Sequence, residues 1–305
     1  MELYINKDME PRLVFWKTEF KLPGTPWTIS GYSRSAYRSG FYISGLNIML
    51  DGGPQCFKNP EHIFITHTHG DHIANLAFTM IQDTIPLTDD NKIKLFCPEE
   101  AATELRNYIM QLHNTNSLKD TRDTINSYYI MNPVSAIYNK QRLTINKQLM
   151  LLETVSADHT IPTVVYGFSL IKNKLDPKYT SISGKEIAEL KKQNISVTIE
   201  VIEKKFCYVL DTSITILETN PFLLEYPIVI IECTFLYDDE LPMASQKKHI
   251  HWLELKPYII KNPSTLFILT HFSLRYKDSD INKFFNDIKE RELINNIHPW
   301  LTDSI

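Results

Sequence analysis

Cysteine is scarce in this 305-residue chain: four residues, Cys56, Cys97, Cys207 and Cys233, none of them in a CxxC pair. Single, widely spaced cysteines give neither the ligand spacing of a zinc ribbon nor a disulfide framework, and they fit a reducing compartment. Long apolar runs are missing as well. No stretch of about 18 apolar residues occurs, and the first residues, MELYINKDMEPRLVFW, are charged throughout, without the apolar centre of a signal peptide. A soluble intracellular protein with no membrane partner is expected, cytoplasmic in the first place, with nucleus and organelle left open. Nor is there an excess of one charge. With 32 Lys+Arg against 36 Asp+Glu, the formal net charge is −4, which excludes the strongly basic class of nucleic-acid binders. Bound divalent metal would change that balance locally, so an anionic substrate stays compatible. Repeats at a solenoid period, low-complexity tracts and clear linkers are absent too. The chain is 43% hydrophobic, enough to bury a large core, and the expectation is one layered domain over 1–305.

What is present begins with period-two patterns. FYISGLNIML (41–50) reads as a strand, Asp51-Gly52-Gly53-Pro54 as a turn, and HIFIT (62–66) as a short buried strand. From His72 the period changes: Ile73, Leu76, Ala77 and Met80 share one helical face. KIKLFCP (92–98) is the next strand and EEAATELRNYIMQLHNT (99–115) a helix with an acidic first turn. Residues 116–150 are polar and weakly patterned, with one strand at SYYIMNPV, and are read as an insertion or a partner surface. LMLLETVSADHT and VVYGFSLI then read as paired strands, and SGKEIAELKKQ as a helix capped by Ser183 with Glu186 at the capping-box position. KFCYVLD, YPIVIIECTF and STLFILTHF are further strands, each ending in a polar residue, and SQKKHIHWLELKPYII is read as the helix before the last of them. Helices alternating with short apolar strands in both halves predict helix-covered sheets, with sites gathered at strand ends.

One strand-to-helix junction carries most of the chemistry. In FITHTHGDHIANLAF, His67 and His69 stand two apart at the end of an extended segment and can point to one side, while Asp71 and His72 follow in the turn. Six residues can thus serve two neighbouring metal positions. Imidazole with carboxylate suits zinc best, with manganese or iron as alternatives. Two catalytic metals need further ligands, including a carboxylate placed to bridge them. His159 in SADHTIP, Asp211 in YVLDTS and His271 in LFILTHFS each follow an apolar strand and are the candidates.

These residues resemble the metallo-β-lactamase superfamily, whose HxHxDH signature is met by HTHGDH, and within it the tRNase Z (ribonuclease Z) family in its short form. The narrower likeness lies downstream, in YTSISGKEIAELKKQNI (179–195), in IECTFL followed by KKHIHW, and in LTHFSLRY (269–276). It implies a four-layer αββα sandwich holding two zinc ions: His67, His69 and His159 on one, Asp71, His72 and His271 on the other, and Asp211 bridging. It further implies a zinc-dependent endoribonuclease that removes the 3′ trailer of precursor tRNA by metal-hydroxide attack and leaves a 3′-hydroxyl. Asp71 would orient or deprotonate the water, and His249, held charged by Glu232, would protonate the leaving oxygen. His251 is the other candidate for that last role and is read first as a helix-surface histidine near the substrate. Ser273 and Arg275 are candidate substrate contacts, with a structural ion pair the alternative for Arg275.

The chain departs from the family pattern in three places. Leu210 replaces the glycine before the bridging aspartate, Ile231 and Cys233 replace common neighbours of Glu232, and no Gly/Pro-rich basic arm is found. Lys172, Lys174, Lys178, Lys185, Lys191, Lys192, Lys204 and Lys205 are a candidate substitute surface, or else a solvated face. Precursor tRNA and a second copy of the chain are the expected partners. The rival readings are a phosphodiesterase of the same superfamily acting on cyclic nucleotides or unstructured RNA, and a catalytically silent RNA-binding relative.

Overall fold

The computed structural model describes residues 15–16, 18–80, 92–120, 122, 128–135 and 137–301. Two seven-stranded sheets lie face to face. The first runs in chain order: β1 (Glu19–Lys21), β2 (Thr28–Arg34), β3 (Arg38–Ser44), β4 (Ile48–Leu50), β5 (His62–Phe64), β6 (Ile93–Pro98) and β7 (Tyr129–Val134). The second has the order β14 (Ile297–Pro299), β13 (Leu266–Thr270), β12 (Ile228–Glu232), β11 (Thr198–Val209), β10 (Thr163–Leu175), β9 (Gln148–Ala157) and β8 (Asn139–Ile145). Each sheet opens with antiparallel hairpins and continues with parallel strands. Among the described residues the helices include α1 (Gly70–Ile73), α2 (Leu76–Met80), α3 (Ala102–Ser117), α4 (Gly184–Lys192), α5 (Thr215–Thr219), α6 (Leu241–Lys247), α7 (Trp252–Lys261) and α8 (Asp278–Glu292).

Strand alternation explains the layers, because successive side chains leave a strand on opposite faces. Phe41, Ile43, Phe64 and Phe96 of the first sheet meet Val164, Tyr166, Phe168, Phe206 and Tyr208 of the second in one core between the sheets. The intervening residues Met49, Ile63, Leu95 and Cys97 face outward against Leu76, Leu105 and Ile109 of the helices. On the far side Val155, Val165, Cys207 and Ile231 meet Trp252, Leu255, Ile259 and Phe285. This is the αββα sandwich expected from the sequence.

Several elements differ from the sequence expectation. The strand 41–50 is two strands, β3 and β4, because Gly45 (φ 86°) and Asn47 (φ 57°) reverse the chain between them. Within 116–150, read from the sequence as an insertion or a partner surface, the described residues supply β7 and β8, an edge strand of each sheet. The helix read through KKHIHW breaks into α6 and α7, since Lys248 takes the left-handed conformation (φ 56°) and His251 caps the second helix. The helical face from His72 is likewise split into α1 and α2. The capping box of Ser183 and Glu186 forms as expected. Beyond a bulge at Phe168 and Ser169, β10 and β11 continue as a long hairpin with α4 at its end.

Candidate metal centre

The C-terminal ends of β5, β9, β11 and β13 lie along one edge of the sandwich, and each is followed within three residues by a residue of the cluster. The turn after β5 is held from outside. Gly52 N–H donates to the His72 carbonyl at 2.6 Å, and a side chain at Gly53 would collide with the Asp71 carbonyl 2.0 Å away. Glycine is required there by close approach, which is what lets Asp71 and His72 turn toward the sheet edge.

The ligand atoms converge on Asp211. Its Oδ2 lies 3.7 Å from His67 Nε2, 3.9 Å from His159 Nε2, 3.5 Å from His72 Nε2 and 3.4 Å from His271 Nε2. His69 joins the first group through Nδ1, 3.0 Å from His67 Nε2 and 3.2 Å from His159 Nε2. Asp71 joins the second, its Oδ2 3.6 Å from His72 Nε2 and 3.7 Å from His271 Nε2. His67, His69, His159 and Asp211 can therefore hold one ion, and Asp71, His72 and His271 another. The fit to metal rests on orphaned atoms. His72 Nε2, His271 Nε2 and Asp211 Oδ1 are buried with no hydrogen-bond partner, a costly state for polar groups unless a cation completes it.

The outer nitrogens are fixed. His67 Nδ1–H donates to Thr66 Oγ1 (3.0 Å), His72 Nδ1–H to Asp51 Oδ2 (2.9 Å) and His271 Nδ1–H to Thr234 Oγ1 (3.2 Å). Such partners set the tautomer and leave Nε2 free for the ligand. Burial lowers the pKa of His67, His69 and His159, which keeps these imidazoles in the neutral, ligating form. Burial also pushes the Asp211 carboxyl up, but His271 and His72 outweigh it and hold it well below the usual range.

A profile of the anti-Pycsar protein Apyc1 family matches residues 47–273, most of the chain and all of this cluster. The chain belongs to that family. It is also 25% identical over 270 residues to tRNase Z TRZ1 of Arabidopsis thaliana, covering 87% of this chain and 91% of the relative. The human short-form tRNase Z aligns with a TM-score of 0.52 at 18% identity, over 80% of this chain and 92% of that one. YhfI of Bacillus subtilis, a metallo-β-lactamase fold protein, aligns at 0.55 and 14% identity, over 88% and 93%. The αββα sandwich is therefore of the metallo-β-lactamase type, and the resemblance to tRNase Z read from the motifs is present along most of the chain.

His249 and Glu232 also come together. His249 Nδ1–H points at the Glu232 carboxylate, 3.1 Å from both oxygens. Burial disfavours the charged imidazole, yet Glu232 overrides it and lifts the His249 pKa to about 9. Glu232 is wholly buried and also accepts from Thr212 N (2.6 Å), Thr234 Oγ1 (2.6 Å) and Ile250 N (3.0 Å). The His249 ring lies 5.3 Å from those of both His159 and His271 and lines a cavity of about 520 Å³ together with Ser35, Ala36, Thr160 and Lys247.

Other sequence candidates sit elsewhere. His251 is not on a helix surface: it is wholly buried, its Nδ1 capping α7 at Leu253 N and its Nε2–H donating to the Tyr237 carbonyl. Ser273 is buried, with its backbone N–H on the Thr234 carbonyl. Arg275 reaches Glu240 at 3.5 Å. Leu210 packs in the core between the sheets, and it is not among the positive-φ residues, so the turn before Asp211 needs no glycine. The lysine surface is largely self-neutralised. Lys172, Lys174 and Lys205 all meet Glu203, whose carboxyl they hold down at about 2, while Lys178 meets Asp176, Lys192 meets Glu189, and Lys204 meets Glu225. The sequence reading missed Asp51, Thr66, Thr234 and Tyr208, which support the ligands from behind. Asp51 alone carried a signal, as an acidic residue directly after a strand.

Proposed function

We propose that the chain is a metal-dependent phosphodiesterase acting on RNA, with precursor tRNA carrying a 3′ trailer as its substrate. The observation that carries this reading is the His249–Glu232 pair beside the histidine and aspartate cluster. A ribose 3′ oxygen is a poor leaving group and needs a proton as it departs, and a histidine held charged above neutral pH at the mouth of a hydrolytic site supplies one. Its resemblance to tRNase Z over most of the chain supports the choice of substrate.

In this reading His67, His69 and His159 hold one ion, Asp71, His72 and His271 a second, and Asp211 both, zinc being the first choice for such donors. When bound, the ions would supply Lewis acidity, lowering the pKa of water and offsetting charge on the phosphate. The protein groups divide the remaining work. Asp71 is held below the usual carboxylate range, burial notwithstanding, by the His271 and His72 imidazoles, and stands ready to orient the attacking water and accept its proton. His249 donates from Nε2 to the departing oxygen, which leaves a 3′-hydroxyl on the tRNA. Glu232 holds that imidazole by Nδ1 and keeps it charged. The chain is one domain in this proposal and works as a homodimer, which light scattering tests. Among the described residues no helix is long and apolar enough to cross a membrane.

A second reading has its own support. The hairpin lysines face carboxylates rather than an open channel, which weakens the case for a long RNA contact and favours a small phosphodiester such as a cyclic nucleotide. One experiment separates the two: zinc-loaded protein is incubated with precursor tRNA and, in parallel, with a 3′,5′-cyclic nucleotide. Cleavage at the trailer junction leaving a 3′-hydroxyl is expected. Intact precursor beside a hydrolysed cyclic nucleotide would overturn the tRNA assignment.

A further inference from the structure

The loop after β12 contains a residue that touches both the second ligand group and the carboxylate that holds the proton donor. Thr234 is buried (1% exposed). Its hydroxyl donates to Glu232 Oε2 at 2.6 Å, which leaves its lone pairs to receive His271 Nδ1–H at 3.2 Å. A hydroxyl has one proton to give, so spending it on Glu232 fixes the direction of the other bond. His271 then carries its proton on Nδ1 and offers Nε2 inward. Glu232, the recipient at the other end, is the carboxylate that holds His249.

The backbone adds to the same link. His271 sits in the left-handed conformation (φ 59°), which is unfavourable for a residue with a side chain and must be held by its surroundings. Thr234 supplies part of that hold: its carbonyl accepts the Ser273 N–H at 3.0 Å, and the N–H of the preceding Cys233 donates to the Thr270 carbonyl at 2.9 Å. The first half of the chain has a counterpart. Thr66 donates to Asp51 and receives His67 Nδ1–H, so a buried carboxylate, a threonine hydroxyl and a ligand histidine recur in the same order.

We propose that Thr234 is a positioning residue that makes the His271 metal position and the His249 proton donor one mechanical unit; this rests on the phosphodiesterase reading above. Removing the hydroxyl while keeping the shape should loosen both ends at once. In Thr234→Val, the weaker of two zinc equivalents, measured by competition with a chromophoric chelator, should bind about 10–100-fold more weakly. At saturating zinc, kcat on the substrate that the wild type cleaves, precursor tRNA or cyclic nucleotide, should fall by a similar factor, about 10–100-fold, with KM within about threefold. The deficit should shrink on bis(4-nitrophenyl) phosphate, whose leaving group needs no proton. Thr234→Ser, which restores the hydroxyl, should return both zinc affinity and kcat to within about threefold of wild type.

Wild-type zinc affinity or wild-type kcat in Thr234→Val overturns the coupling, and so does an equal deficit on both kinds of substrate. Impairment of Thr234→Ser to the level of Thr234→Val overturns the role of the hydroxyl. A wild-type protein that holds only one zinc overturns the functional reading beneath the proposal. Two zinc ions in the wild type with an unaffected Thr234→Val variant would overturn the positioning role alone.

Discussion

The two halves of the sandwich build their share of the site from the same parts and use them differently. In the first, Asp51 receives Thr66 Oγ1–H and His72 Nδ1–H, and Thr66 in turn receives His67. In the second, Glu232 receives Thr234 Oγ1–H and His249 Nδ1–H, and Thr234 in turn receives His271. Each buried carboxylate thus steers one histidine directly and one through a threonine. The divergence is in the direct partner. His72 is wholly buried with Nε2 aimed at Asp71 and Asp211, whereas His249 keeps 13% of its side chain exposed and faces the cavity. In the proposed mechanism the imidazole whose free nitrogen meets carboxylates would ligate, and the one that lines the cavity would donate a proton. A buried carboxylate stands behind the imidazole in both cases, Asp51 in one and Glu232 in the other.

The largest test of this comparison removes the residue on which the halves meet. Asp211→Ala should lose metal and turnover together, to less than one equivalent of metal and background hydrolysis, as read by elemental analysis and the cleavage assay. Next come the direct partners. His249→Ala should retain its metal and lose about 10²–10⁴-fold in kcat, whereas His72→Ala should release metal; cleavage by His249→Ala at the wild-type rate would end its assignment as proton donor.

Asp51→Asn probes the first-half carboxylate, which also receives Tyr208 OH at 2.8 Å and Thr66 N–H at 2.7 Å. An amide cannot accept from all of these groups with both of its heavy atoms. Metal affinity should fall about 10–100-fold and stability by about 1–3 kcal/mol, measured by chelator competition and urea unfolding; unchanged values for both would show that Asp51 does not steer His72.

The smallest effect lies outside the site, where each half holds a histidine apart from the cluster, His62 buried and His298 half-buried. His62 in β5 stacks on Phe64 and Phe96, and His298 in β14 stacks on Phe20; burial lowers both to about 4. A folded-state pKa below the unfolded value of 6.5 means that the native state binds fewer protons. The stability these neutral rings allow is present in full above pH 6.5 and is lost as pH falls toward 4. Between pH 7 and 5, His62→Phe should therefore lose less stability than wild type, by on the order of 1–2 kcal/mol. Parallel urea midpoints would refute this.

Legibility from sequence followed locality. The cluster His67, His69, Asp71 and His72 lies on one turn, so spacing alone showed that the residues could converge. The layers were legible as well, because period-two strands such as Val164–Phe168 carry their two faces in the alternation itself. The breaks were harder. Gly45 and Asn47 split a continuous apolar run, and Lys248 ends a helix in a conformation that lysine seldom adopts; both depend on where the chain must go next rather than on local preference. Residues 116–150 looked weakly patterned, with a single strand legible, because the edge strands β7 and β8 have one neighbour each and only a partial core to face.

By itself the sequence determined the sandwich and nominated the ligands, since hydrophobic period and a dense local motif are properties of neighbouring residues. The tertiary structure decided where each histidine stands. His249 and His251 stand two apart in one peptide, and nothing local tells them apart. The fold buries His251 beneath Tyr237 as a helix cap and sets His249 against Glu232 at the cavity, because the chain reverses at Lys248 and restarts at Trp252. Thr66 and Thr234 gained their place in the same way. A threonine hydroxyl acquires a direction only from the two partners that packing brings to it.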